Sequence, residues 1–250
     1  MAMNDAHASA DARVAAYWAS FLGCTPEQLE TPGTWVGAHA DTGLADYQGA
    51  YLLRRGESCV VSVPAPLLAI VTARLASLPA ASSFDVTRLR HLFDDAIERI
   101  VGPAWQGYLR ADEFRPVARP NVRQLTAADD LALHQLEEAC DEREWEEIGI
   151  GRAEQVVFGA FVGDRLVAAG MGEPRAATLL HIGIITHPDH RGQGHGRAVV
   201  SAISAYGLGV GLVPRYQALA ANTPSVAIAR ALGFTHYATT LAVRLSRLNI

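Results

Sequence analysis

The chain has 250 residues, of which 50% are hydrophobic and 19% charged, with a formal net charge of -5 at pH 7. This balance is typical of a globular protein and excludes a disordered or collagen-like chain. All 21 basic residues are arginine. The absence of lysine excludes a phosphate-loop lysine and a pyridoxal Schiff base. No basic stretch is interleaved with aromatics, so we expect no nucleic-acid partner.

The cysteines and the hydrophobic stretches indicate the compartment. Cys24, Cys59 and Cys140 are odd in number and far apart, which fits a reducing compartment better than a disulfide framework. The longest strictly aliphatic stretch, residues 67–71, is far shorter than the ~20 residues of a membrane-spanning helix. We therefore expect a cytoplasmic protein with no membrane partner, and the sequence indicates no particular oligomeric state.

The N-terminal part of the chain alternates between helical and strand patterns. The predicted elements are a helix over Asp11–Leu22 ended by Gly23, a strand over Cys59–Val63, a helix from Pro66 to about Leu78, and a helix over Val86–Ile100 capped by Asp85. The segment Phe114–Pro120, which contains two prolines, predicts a linker. We therefore expect two domains, residues 1–116 and residues 117–250, in an α/β protein.

The pattern becomes regular after the linker. Thr126 and Asp129 have the spacing of a capping box that opens a helix, and Gly163-Asp164-Arg165 between two apolar runs indicates a tight hairpin. The further predicted elements are strands over Val122–Leu125, Val156–Val162, Leu166–Met171, Leu179–Thr186, Tyr216–Ala221 and Leu241–Leu245, and helices after Arg197 and over Pro224–Leu232.

Three glycines at alternate positions, Gly192, Gly194 and Gly196, connect a strand to a helix. Such a turn exposes unpaired N–H groups at the positive end of a helix and forms a cradle for an anion. The dinucleotide-binding pattern needs glycine where Arg197 stands, and the phosphate loop of nucleotide triphosphatases needs a lysine, so both are excluded. An ordinary glycine-rich turn without a ligand is the alternative.

The pattern that remains, Arg-x-x-Gly-x-Gly at Arg191, Gly194 and Gly196, resembles the pyrophosphate loop of the GNAT superfamily of acyl-CoA-dependent N-acetyltransferases. A second motif is similar to that family's Asn-x-x-Ser-x-Ala run ending in Leu-Gly-Phe. It comprises Asn222, Ser225, Ala227 and Leu232-Gly233-Phe234. The resemblance covers roughly residues 121–245. It implies a mixed, largely antiparallel, splayed sheet flanked by helices, with the smaller N-terminal α/β domain as an addition.

This resemblance implies acetyl-CoA as the acetyl donor. Residues 192–197 would hold the pyrophosphate through main-chain N–H groups, and residues 184–186 would pair with the pantetheine arm like an added strand. Asn222 would bond the arm from the other side. The implied cofactor-binding residues are Ile184, Ile185, Thr186, Arg191, Gly192, Gln193, Gly194, His195, Gly196, Arg197 and Asn222.

Acetylation of an amine needs a base for the ammonium proton and an acid for the departing thiolate. The family often has a tyrosine as the acid four residues before the glycine of Leu-Gly-Phe, but this chain has Ala229 there. Tyr237 is the predicted replacement, with a core aromatic as the alternative. His181 and Glu173 are the predicted bases. The alternatives are a buried structural histidine and a solvated turn residue.

Two other groups of polar residues stand out. His187, His190 and His195 have a spacing that suggests a metal, but the motifs place them around the pyrophosphate loop, and only Asp189 is available to complete a tetrahedral set. We therefore expect no metal. An acidic run lies in the region where members of the family shape the acceptor pocket. Its negative electrostatic potential would attract a cationic amine. The alternative interpretation is a solvated helix face and loop without a role in binding. The run comprises Glu137, Glu138, Asp141, Glu142, Glu144, Glu146 and Glu147.

Together these features predict an N-acetyltransferase that moves an acetyl group from acetyl-CoA to a primary amine of a small molecule, by direct attack in a ternary complex. The N-terminal domain has no chemical motif, and we expect it to help form the acceptor pocket. Two alternatives stay open. One is acetylation of a protein or peptide amine, and the other is a non-catalytic coenzyme A sensor, which Ala229 favours.

Overall fold

The structure is a computed structural model that describes residues 9–39, 43–151 and 154–246, so the outer ends of the two predicted domains, residues 1–8 and 247–250, lie outside the described residues. The helices are α1 (Ala10–Leu22), α2 (Leu68–Leu75), α3 (Ala80–Ser83), α4 (Val86–Phe93), α5 (Asp130–Ala139), α6 (Glu142–Ile148), α7 (His195–Gly209) and α8 (Thr223–Ala231). The strands are β1 (Gly33–Ala38), β2 (Gly49–Arg55), β3 (Ser58–Val63), β4 (Ile97–Tyr108), β5 (Val122–Gln124), β6 (Val156–Val162), β7 (Arg165–Arg175), β8 (Leu179–Thr186), β9 (Val213–Leu219) and β10 (Thr235–Leu245).

Packing divides the chain into two compact units. Of the described residues, the first comprises 9–39, 43–106, 219–221 and 237–246, and the second comprises 107–151, 154–218 and 222–236. Most of β10, which the sequence pattern groups with the C-terminal domain, therefore lies in the first unit. The predicted linker Phe114–Pro120 has no helix or strand, and it lies within the second unit.

In the first unit the neighbouring strands are β1, β3, β2, β10 and β4, in that order. The first pair is parallel, β2 and β3 form a hairpin, and β10 runs antiparallel to β2. Their apolar side chains share one core with α2, α3 and α4, in which Val61, Val71, Leu89 and Leu241 are fully buried. This α/β core follows from strands rich in β-branched residues packed against amphipathic helices.

The predicted helix over Val86–Ile100 is wrong in its second half. Asp85 caps α4 as predicted, since its carboxylate accepts a hydrogen bond from the Arg88 N–H at 2.8 Å. The helix ends at Phe93, Asp94 has a φ of 41°, and the chain continues as β4 from Ile97. The isoleucines that completed the helical spacing still pack against the core, but from a strand.

In the second unit the neighbouring strands are β9, β8, β7, β6 and β5. The pair β8–β9 is parallel and the others are antiparallel. The ladder between β8 and β9 pairs Leu179–Ile182 with Val213–Tyr216 and ends there among the described residues, although both strands continue. The two strands therefore separate toward their C-terminal ends, which confirms the predicted splayed, largely antiparallel sheet.

Helices cover both faces of the second unit's sheet. A Cβ on Gly170 of β7 would meet Ile203 of α7, whereas a Cβ on Gly183 of β8 would meet Ile148 of α6. Because side chains alternate along a strand, α7 covers one face and α6 covers the other. No helix in the described ranges has both the length and the apolar composition needed to cross a membrane.

Candidate functional site

The glycine loop connects the end of β8 to the start of α7. Gly192 and Gly194 have φ values of +76° and +81°, in the left-handed region that favours glycine. Gly196 lies in the first turn of α7, where a Cβ would come within 2.9 Å of the Thr186 Oγ1. The first two glycines are therefore needed for backbone conformation and the third for close approach.

The loop is suited to an anion. The helix α7 begins at His195 with no side-chain cap among the described residues, so its first N–H groups carry uncompensated partial positive charge. Beside them the ring Nδ1 atoms of His190 and His195 and the Nε of Arg197 are buried without a hydrogen-bond partner in the described part of the chain. Phosphate oxygens accept hydrogen bonds from such donors, so these residues fit a pyrophosphate group.

A further guanidinium borders the loop. Arg119 Nη2 donates to the Gln193 carbonyl at 3.0 Å and lies 2.9 Å from the position that a Cβ on Gly194 would take. Arg197 Nη2 lies 3.9 Å from the same position. Two arginines therefore flank the loop, and one of them comes from the predicted linker, where nothing in the local pattern indicates a role.

Two of the histidines near the loop have lowered pKa values. Burial, followed by the Arg119 guanidinium, lowers the pKa of His195, and burial followed by Arg165 lowers the pKa of His187. The rings of His187 and His190 lie edge to face with centroids 5.4 Å apart. Over the described ranges no group of three or more His, Cys, Asp and Glu side chains is placed to hold a metal ion.

The side chain of Arg191 is bonded within the protein. Its Nε donates to the Thr186 carbonyl at 3.1 Å, and its Nη2 forms an ion pair with Glu144 of α6. The arginine thus ties the loop to the end of β8 and to a helix of the acidic run. Its contribution to cofactor binding stays a prediction.

The predicted pantetheine contacts lie along the opening between β8 and β9. Ile184, Ile185 and Thr186 follow the last residue pair of the ladder, so their main chain borders the opening. Asn222 caps α8, where its side-chain oxygen accepts a hydrogen bond from the Ser225 N–H at 3.2 Å. Whether these four residues bind the arm stays a prediction.

The two predicted bases are neighbours. Glu173 of β7 lies directly opposite His181 of β8, and opposed positions on paired strands share one face. It is the face covered by α6, because Gly183, two residues beyond His181, lies against that helix. Arg175 donates to the Glu173 carboxylate at 2.8 Å. The structure thus brings the two candidate bases together on the α6 face.

The predicted acid lies in the first unit. The guanidinium of Arg55 lies over the Tyr237 ring, 4.5 Å from its centroid, and burial raises the pKa of Tyr237 to about 12. Its hydroxyl therefore stays protonated at neutral pH, as an acid requires. Ala229, at the family's usual tyrosine position, is fully buried.

A second tyrosine belongs to the second unit. Tyr216 forms the last pair of the β8–β9 ladder with Ile182, and its hydroxyl is hydrogen-bonded to the Ser225 hydroxyl at 2.8 Å. Burial raises the pKa of Tyr216 to about 12. The sequence pattern places it only in a strand, because its contact with the second motif forms in the folded chain.

Comparison with known proteins agrees with this geometry. Residues 121–234 match the model of the acetyltransferase (GNAT) family. This segment is a GNAT acetyltransferase domain. Nearly all of the GNAT domain lies in the second unit, together with the glycine loop. No curated protein sequence matches the chain significantly.

Solved structures of GNAT proteins resemble the chain at low sequence identity. One from Novosphingobium aromaticivorans is 22% identical with a TM-score of 0.50, over 60% of this chain and 67% of that one. One from Colwellia psychrerythraea is 16% identical with a TM-score of 0.48, over 63% and 61%. One from Kribbella flavida is 17% identical with a TM-score of 0.46, over 64% of each chain. The chain thus spans about two thirds or less of the length of these relatives, and the first of them supports the fold of the GNAT domain.

Proposed function

We propose that this protein transfers an acetyl group from acetyl-CoA to a primary amine of a small molecule. One observation carries the proposal: within a GNAT domain, a glycine loop at an uncapped helix N-terminus adjoins a strand edge left open by the separation of β8 from β9. An anion cradle beside an open strand edge suits a ligand with a diphosphate and an extended amide-bearing arm.

The residues proposed to hold the donor are those that the resemblance to the GNAT family implies, together with Arg119. Residues 192–197 would bind the pyrophosphate, with Arg119 and Arg197 beside it. The open edge at residues 184–186 and the amide of Asn222 would bind the arm. Bound acetyl-CoA supplies an activated acetyl thioester. Holding both reactants in one site can contribute much of the rate by proximity alone.

The chain's own chemistry is proton transfer. An amine is largely protonated at neutral pH, so a base must remove a proton before the nitrogen can attack. We assign this to His181 with Glu173 beside it, because an imidazole has an ordinary pKa of ~6.5 and can take up and release a proton near neutral pH. Tyr237 is the proposed donor to the leaving thiolate, and Tyr216 with its Ser225 partner is the second candidate.

The first test is binding followed by turnover. Calorimetric titration measures the affinity of the glycine loop and its surroundings for CoA. Incubation with acetyl-CoA and a panel of amines measures acetyl transfer through the free thiol that is released. The chain has no lysine, so acetylation of its own lysine side chains cannot contribute to the thiol signal. Thiol release that depends on a small amine supports the proposal. Release with peptides alone favours a protein acceptor, and CoA binding without any turnover favours a sensor.

The proton-transfer assignments need substitutions. His181→Ala and Glu173→Gln should lower kcat without weakening CoA binding, and either Tyr237→Phe or Tyr216→Phe should do the same. Tyr206→Phe, which removes the hydroxyl of an exposed tyrosine on α7, is the matched control. Full turnover in all four variants would contradict the assignments, while loss of turnover together with CoA affinity would indicate structural damage.

A further inference from the structure

We propose that the acceptor carries a carboxylate on the carbon next to its amine, and that Arg215 binds this carboxylate; the inference rests on the proposed function. Arg215 belongs to β9 and is buried, with 7% of its surface exposed. It is in register with His181 of β8, which in turn lies opposite Glu173 of β7. The three side chains therefore form one row across three adjacent strands, on the face of the sheet that α6 covers.

The row reaches the place where the strands separate. The last pair of the ladder, Ile182 with Tyr216, comes one residue beyond Arg215. Arg215 Nη2 donates to the side-chain carbonyl of Gln217 at 2.9 Å, and Gln217 is exposed. The guanidinium thus extends along β9 past the last pair and toward the opening, where the proposed function places the thioester arm.

The charges along the row match a zwitterion. The amine of the acceptor meets the base at His181, and Arg215 lies on the next strand, ~4.8 Å away in the direction of pairing. A carboxylate attached to the neighbouring carbon falls on the Arg215 side. A guanidinium binds a carboxylate through two parallel hydrogen bonds, which fixes orientation as well as charge.

This arrangement selects a substrate class. An α-amino acid offers both the amine and the carboxylate at the required separation. A decarboxylated amine lacks the anion, and the N-terminus of a peptide carries a neutral amide in its place. The row therefore favours free amino acids over polyamines and over protein N-termini. The acidic run at residues 137–147 is compatible with an amino acid as substrate, because the ammonium group is still present.

A purely structural role for Arg215 would affect all acceptors equally. The test therefore uses matched triplets, in which glycine, alanine, leucine, phenylalanine and arginine are each compared with their amide and with their decarboxylated amine. The full-length protein is assayed for kcat/KM by thiol release. For the acids alone, Arg215→Gln should lower kcat/KM roughly 10- to 100-fold, as expected for loss of a charge-assisted pair. Arg215→Lys should give an intermediate loss, because it keeps the charge without the planar fork.

The outcomes separate this inference from the proposed function. A preference of the wild-type protein for acids, lost in Arg215→Gln with CoA affinity unchanged, supports both. Turnover of amides or plain amines as fast as acids, or an equal loss for all three in the variant, overturns the carboxylate site and leaves the transferase assignment standing. Absence of CoA binding, or binding without turnover of any acceptor, overturns the transferase assignment and this inference with it. If Arg215→Gln does not fold, Arg215→Lys and the wild-type preference decide.

Discussion

The cradle is best tested with two glycines that have the same backbone conformation. Gly192 in the loop has a φ of +76° and Gly211, after α7, has a φ of +80°, and at both an added Cβ meets no atom within 4 Å. Alanine in this region costs ~1–2 kcal/mol relative to its preferred conformation. For a chain of this size that corresponds to a fall in Tm of roughly 2 to 8 °C. Gly192→Ala and Gly211→Ala should therefore lose similar stability, which a thermal melt measures.

Only the loop variant should lose cofactor affinity. If Gly192→Ala turns one main-chain N–H away from the phosphate, the lost charge-assisted bond weakens CoA binding roughly 10- to 150-fold. Gly211→Ala should bind CoA like the wild-type protein, since it shares the backbone strain but lies outside the loop. Titration calorimetry on both variants decides the matter. Equal affinity in Gly192→Ala and wild type, or an equal loss in the two variants, would refute the assignment of the loop.

Three other predictions concern charge. Arg119→Ala removes the hydrogen bond to the Gln193 carbonyl and one positive charge beside the loop. It should weaken CoA binding about 5-fold, which corresponds to ~1 kcal/mol, and the Kd should depend less steeply on salt concentration. The Arg123 guanidinium bonded to Asp129 keeps the pKa of that carboxyl well below its usual range. The ionised carboxylate therefore stabilises the folded protein above the ordinary carboxyl pKa of ~3.9, and this contribution is lost as the pH falls further. Asp129→Asn should lower Tm at pH 7, and the difference in Tm from the wild-type protein should vanish in strong acid. Because burial raises the pKa of Tyr237 and of Tyr216 to about 12, kcat should rise with pH as the base deprotonates and stay level to about pH 10; an earlier decline would exclude both tyrosines as the acid.

The sequence predicts the second unit better than the first. There the hairpin at Gly163-Asp164, the strand Leu179–Thr186 and the capping box at Thr126 are all confirmed, because each depends on local turn chemistry or on a continuous buried run. In the first unit β1 and β2 lack strict alternation and are not predicted. The second half of the helix over Val86–Ile100 is wrong because its apolar spacing also suits a strand.

The site divides in the same way. The loop and the second motif are each continuous in the sequence, so their resemblance to the GNAT family is visible before the fold is known. Glu173 and His181 are predicted separately, and their pairing depends on the register of β7 with β8. Arg119 and Arg215 belong to no recognisable motif. Arg119 lies in an irregular segment, and Arg215 is a charged residue between Pro214 and Tyr216 in a strand. Contacts between residues far apart in the sequence bring Arg119 to the loop and Arg215 beside His181, and local patterns do not encode such contacts.

The position of β10 changes how the N-terminal part can be examined. Residues 239–244 of β10 pair with β2, and Leu241 and Val243 are buried in the core of the first unit. Deleting residues 1–116 would remove β2 and β4, the two neighbours of β10, and would leave β10 as an unpaired apolar strand, a template for aggregation. Loss of turnover in that truncation would therefore report a broken sheet. A role of the first unit in acceptor binding has to be sought in the intact chain, as a change in the KM for the amine that leaves the Kd for CoA unaltered.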